Sequence, residues 1–140
     1  MLQKLLSPSR WSADATDFSS LILRLTFGLL MLPHGYSKLM GLMGGDWGFA
    51  NPIGIGEPAS LVLTIFAEFF CSILIIIGLW TRMALIPLII TMIVAVGIVH
   101  FNDGMDKKEH GLMFLLPYIA LFLLGSGKFS VDALLKKNQK

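Results

Sequence analysis

The chain has 140 residues, 55% of them hydrophobic and 14% charged, with a mean hydropathy of +0.75. That is too apolar for a soluble domain of this size and reads as an integral membrane protein. The net charge is only +2 and the lysines gather near the ends, with no basic stripe of interleaved aromatics, so nucleic acid is excluded as a partner. The lone cysteine, Cys71, excludes an intrachain disulfide, a multi-cysteine zinc site or an iron–sulfur cluster built by this chain alone.

Residues 1 to 17 carry Lys4, Arg10, Asp14 and Asp17 and lack the apolar core of a cleavable signal, so none is expected. The first apolar segment runs from Phe18 to Leu39, with Asp17 or Ser19 as its expected cap. Gly41 to Glu57 holds six glycines with Trp47, Phe49 and Pro52, too many helix breakers for a helix. It is expected to lie at the interface as a connector, the functional alternative being a lid over a pocket. The second segment, Pro58 to Leu79, opens with proline in the first turn. Gly78 to Arg82 is short enough to force an antiparallel hairpin with the third segment, Met83 to Phe101. The fourth, Gly111 to Gly125, is short and contains Pro117, so a re-entrant segment is its alternative. After Gly127, Ser130 is placed to cap a short amphipathic tail helix ending in Lys136 and Lys137.

The expected fold is thus all-α, a transmembrane four-helix antiparallel bundle over 18–125, with an N-terminal segment 1–17 and a tail 126–140. Lysine and arginine bias gives its orientation. One side holds Lys4, Arg10, Arg82, Lys128, Lys136, Lys137 and Lys140; the other holds Lys107 and Lys108. Both termini are therefore expected in the cytoplasm, with the bundle in the inner (plasma) membrane.

Arg24, His34, Lys38 and Glu68 lie inside these apolar segments, where a charge costs at least ~2.5 to 3.5 kcal/mol at the bilayer centre and usually marks a site. At about 100° per residue, Arg24, Phe27, Met31, His34 and Lys38 share one face of the first helix. Gly28 and Gly35 flank that face and admit a close neighbour. Thr64, Glu68, Cys71 and Ser72 share a face of the second helix. Counting inward from the segment ends brings Arg24 and Glu68 to mid-membrane, so they are the expected ion pair. His34, Lys38 and His100 gather toward the opposite surface, near Asp103, Asp106, Glu109 and His110. The expected catalytic residues are His34, Lys38 and His100, since imidazole titrates near neutrality and an ammonium polarises a carbonyl. Arg24, Glu68, Met31 and Tyr118 are the expected ligand-binding residues. Duller roles compete: a structural clamp for Arg24 and Glu68, snorkelling for Lys38, backbone or carboxylate hydrogen bonds for the histidines, and core packing for Cys71. No metal site is expected. Haem between His34 and His100 is disfavoured, because no haem-attachment motif accompanies them.

Arg24-Leu25 with Gly28, His34-Gly35, Lys38-Leu39, Glu68, Gly78-Leu79-Trp80-Thr81-Arg82, Met92 to Ala95 with His100, and Gly125-Ser126-Gly127-Lys128-Phe129-Ser130-Val131-Asp132 together resemble the DoxX family of small four-helix membrane proteins. The likeness spans roughly residues 22 to 135, across most of the membrane part. It departs where Cys71 and Ser72 stand at positions that are often glycine in the family. The resemblance implies weight on Arg24, His34, Lys38, Glu68 and His100. It also implies an association with quinones or oxidative stress, since the family includes membrane subunits of a thiosulfate:quinone oxidoreductase. Thiosulfate oxidation is not carried over, because that enzyme uses a second subunit. The expected function is a redox-associated subunit binding a quinone or similar small molecule in an intramembrane polar pocket, catalytic only as part of a quinone-linked oxidoreductase complex. The alternatives are a non-catalytic scaffold for a partner oxidoreductase and a small-molecule or proton carrier. Expected partners are the lipid bilayer, a soluble or membrane redox partner, and further copies of the chain.

Overall fold

The computed structural model describes residues 12–137, in which there are five helices and no strand. Lys4, Arg10 and Lys140, three of the charges used for orientation, lie outside the described residues. Helix α1 is Ala13–Met43, α2 is Glu57–Ile77, α3 is Thr81–Val99, α4 is Met105–Leu124 and α5 is Val131–Lys137. The chain is all-helical, and α1, α2 and α3 are each long and apolar enough to cross a membrane. Helix α4 is not among those three, since its first turn and a half carries Asp106, Lys107, Lys108 and Glu109.

Local chemistry sets the helix limits. Helix α1 starts earlier than expected because Ser12, not Asp17 or Ser19, caps it by accepting from the Ala15 amide at 3.1 Å. It ends at Met43, where Gly44 and Gly45 begin the connection. Gly56, at φ 101°, turns the chain into α2, whose second residue is Pro58. Helix α2 stops at Gly78, which is left-handed, and α3 begins after Trp80, left-handed at φ 48°. Three residues therefore separate them. As expected, Ser130 caps α5 by accepting from the Ala133 amide at 3.2 Å.

Helices α1 and α2 run in opposite senses. A Cβ on Gly28 would lie 2.5 Å from the Ile76 side chain, and one on Gly35 would lie 2.5 Å from the Glu68 carbonyl carbon. The two glycines thus let the helices touch over two turns, as expected from their place beside the polar face. Helix α1 packs on α2 and α4, and α3 packs on both of those. The shared core runs through Met31, Cys71, Ile75, Leu85, Leu88, Phe114, Tyr118 and Leu121. Leu30, Leu116 and Leu123 point outward, as a lipid-facing surface requires.

Two stretches of helix are wound as π-helix: Phe66–Cys71 in α2 and Ala95–Val99 in α3. Each extra residue per turn rotates the remainder of the helix, so the face expected from a constant 3.6-residue period is broken. Thr64 and Glu68 turn toward a cavity, whereas Cys71 and Ser72 are buried in the core.

Candidate functional site

A cavity of about 370 Å³ opens between α1, α2, α3 and the start of α4. Most of its wall is apolar, from Met31, Leu63, Ile90, Met92, Val94 and Val99 among others. Its polar groups are His34 and Lys38 from α1, Ser60, Thr64 and Glu68 from α2, Thr91 from α3, His100 just beyond α3, and Lys107 and His110 from α4. Five of the expected site residues, Met31, His34, Lys38, Glu68 and His100, therefore face one space. The glycine-rich connection contributes Phe49, Ala50, Pro52, Ile53 and Ile55 to the same wall. It forms a cover and not merely a tether. Its shape is pinned from within, since Asn51 Oδ1 accepts from the Gly56 amide at 2.9 Å and Asp46 Oδ1 from the Gly48 amide at 3.0 Å.

The expected Arg24–Glu68 pair does not form. Glu68 instead accepts from Lys38 Nζ at 2.5 Å, with the carboxylate side chain 7% exposed and the lysine 29%. The physical reason is helix register. With Gly28 against Ile76 and Gly35 against Glu68, Arg24 falls level with Gly78, past the end of α2 and about 15 Å along the axis from Glu68. Lys38 sits one turn beyond Gly35 and reaches the carboxylate directly.

Arg24 is fully buried at the other end of the molecule. Its Nη2 donates to the Phe129 carbonyl, and the guanidinium fills the space a Gly78 side chain would occupy. Nη1 and Nε have no partner among the described residues, and the nearby Asp132 supplies the opposing charge. Asp132 also accepts from the Trp80 amide at 2.8 Å, the Thr81 amide at 3.2 Å and the Thr81 hydroxyl at 3.3 Å. The Asp132 amide returns a bond to the Gly78 carbonyl at 2.9 Å. Ser20 Oγ donates to the Gly125 carbonyl at 2.6 Å, and Asp17 accepts from the Lys128 amide at 3.0 Å. The Gly78–Arg82 and Gly125–Asp132 motifs thus form one knot that fastens the tail over Arg24. Tyr118, the other expected ligand-binding residue outside the cavity, is fully buried, its hydroxyl 3.5 Å from the Phe27 carbonyl.

At the cavity mouth, His100 Nδ1 is 2.7 Å from Asp103 Oδ2, and Lys107 approaches the other oxygen at 3.6 Å. The hydrogen bond from His100 holds the Asp103 carboxyl below its ordinary value, against the opposing effect of burial and with lesser help from the Lys107 charge. His34 is paired with His110. Its ring makes an edge contact with His110 at 5.0 Å between centroids, and both rings lie against Phe114 at 6.2 and 5.3 Å.

Ser60 and the helical placing of His110 beside His34 are what sequence reasoning missed, while the cover is the alternative it set beside a plain connector. With α4 expected to start at Gly111, His110 reads as a loop residue. The spacing His110, Phe114, Tyr118 is an i, i+4 ladder that would have placed it on the helix.

Comparison with known proteins identifies the chain's family. The DoxX profile matches residues 19–101. The chain is 30% identical over 126 residues to the Bacillus subtilis (strain 168) protein named "Putative oxidoreductase CatD", covering 89% of this chain and 92% of that one. It is also 30% identical over 145 residues to "Uncharacterized membrane protein Rv3486" of Mycobacterium tuberculosis (strain H37Rv), covering 85% and 82%. No solved structure matches the chain. With a profile match over more than half its length and relatives aligned nearly end to end, the chain belongs to the DoxX family of membrane proteins.

Proposed function

We propose that this membrane protein is a redox-associated subunit that binds a quinone, or a similarly flat and apolar carbonyl compound, in the cavity between α1 and α2. The observation that carries this reading is the composition of one space. An apolar chamber is entered by an ammonium–carboxylate pair and three imidazoles, which is what a lipophilic ligand with a few polar atoms requires. The Lys38 ammonium polarises a ligand carbonyl oxygen, Glu68 fixes the lysine, and His34 exchanges the proton that a quinone oxygen gains on reduction. Electrons come from a partner oxidoreductase. The name of the Bacillus subtilis relative favours such an association.

The same reading places the four long helices across the inner (plasma) membrane as an antiparallel bundle within 18–125, flanked by segments 1–17 and 126–140. Both termini are cytoplasmic and the chain assembles with copies of itself. The test is binding of a short-chain benzoquinone to purified protein in lipid. His34→Ala and Lys38→Gln each weaken binding by about tenfold, the loss expected for one hydrogen bond to a charged or polarised group. Unchanged affinity in both variants refutes the assignment.

A further inference from the structure

A second cleft, of about 630 Å³, lies at the end of the molecule opposite the cavity, between the start of α3, the end of α4 and the tail helix α5. Three cations line it, Arg82, Lys128 and Lys136, against one carboxylate, Asp132. The carboxylate is already committed to the Trp80 and Thr81 amides and the Thr81 hydroxyl. It therefore also occupies the amides that would otherwise greet an anion at the head of α3, so any anion held here is held by the cations. Arg82 is fixed in position, with Nε and Nη2 donating to the Phe122 and Leu123 carbonyls at 3.1 and 3.4 Å. Gly125 has no side chain to displace it, since a Cβ there would lie 3.4 Å from Nη2. Lys128 is bonded to Asp14, whereas Lys136 makes no ion pair among the described residues.

Exposed Trp80, Met83, Leu124 and Leu135 border the same cleft. A free phosphate has no use for an apolar rim. A lipid does, because its headgroup sits at the ends of membrane-crossing helices while its acyl chains run down beside them.

We propose that this cleft binds the phosphodiester headgroup of an anionic phospholipid, with Arg82 and Lys136 on the phosphate and Trp80, Met83 and Leu124 against the upper acyl chain. The site is separate from the cavity, so it stands or falls independently of quinone binding.

Trp80 is its reporter. In a Trp11→Phe/Trp47→Phe background it is the sole tryptophan of the full chain. Reconstituted in bilayers, that protein is titrated with phosphatidylglycerol or phosphatidylcholine brominated near the headgroup. Phosphatidylglycerol quenches Trp80 at an about fivefold lower mole fraction, and Lys136→Gln removes most of that preference, as expected from the loss of one interfacial lysine. Lys136 makes no side-chain hydrogen bond among the described residues, so its replacement leaves the turn intact; Lys128→Gln gives a second, smaller decrease. Equal quenching by the two lipids, or a preference that survives both substitutions, overturns the proposal. Reversal of the phosphatidylglycerol quench by excess inorganic phosphate overturns it too, by showing a site for free anions.

Discussion

Lys38 and Glu68 are the pair on which the cavity depends, and their energetics are asymmetric. Two desolvated charges at 2.5 Å offset one another, but either alone is left unpaired in apolar surroundings. Lys38→Met is expected to destabilise the protein by about 2 to 3 kcal/mol, below the cost for a fully buried pair because the lysine retains some access to solvent. Adding Glu68→Leu is expected to recover most of that loss, which a double-mutant cycle on denaturation in mild detergent measures; simple additivity would mean that the pair is not coupled. Gly35 is the other residue on which this contact rests. A methyl group there meets the Glu68 carbonyl carbon at 2.5 Å and its oxygen at 2.8 Å, both backbone atoms that cannot step aside. Gly35→Ala is therefore expected to cost about 2 to 3 kcal/mol as α1 and α2 are forced apart. Gly41→Ala, where a Cβ meets nothing, is expected to be neutral or slightly stabilising in the same assay.

The tail helix is seven residues long, too short to persist without partners, so its position comes from the bonds that tie it to the turn between α2 and α3. Asp132 supplies most of them. Asp132→Asn keeps the shape but withdraws the charge and one acceptor, and is expected to cost about 1 kcal/mol, the worth of a helix cap. The readout is local: amide exchange at Trp80 and Thr81 rises while that of the α3 interior does not, and equal protection in both proteins would count against the knot. At this scale much was legible in the sequence. The spans of α1 to α3, the short turn at Gly78, the Ser130 cap and the close-packing glycines all follow from composition and punctuation. The two π-helical stretches do not, because no residue type announces them and a 3.6-residue period is assumed throughout. That is why the sequence pattern groups Cys71 and Ser72 with Glu68. The Arg24–Glu68 pairing failed for a related reason. Depth counted from segment ends carries no information about a tail that folds back over the first helix, whereas the contacts of Gly28 and Gly35 fix the register outright.

Taken whole, the molecule has two ends with opposite characters. One is closed, with Arg24 sealed beneath the tail and its motifs spent on hydrogen bonds between loops. The other is hollow, and the connection between α1 and α2 lies across it with Ile53 both facing the cavity and reachable from outside. The polar face of α1 spans both, since Arg24 and Lys38 are fourteen residues, or about 21 Å, apart on one helix. A single stripe in the sequence thus serves a structural lock at one end and a chamber at the other. This division makes a labelling experiment decisive. The native Cys71 is buried and stays silent toward a membrane-impermeant maleimide, so single cysteines introduced at Ile53 and at Ser126 report separately on the two ends. In sealed, uniformly oriented vesicles the two positions are expected to react from opposite sides of the bilayer. A short-chain benzoquinone in the chamber is expected to slow modification of Ile53→Cys severalfold while leaving Ser126→Cys unchanged. Reaction of both from one side would exclude the proposed crossing of the membrane. Protection of neither position would exclude the cover as part of the ligand site, whatever the sidedness.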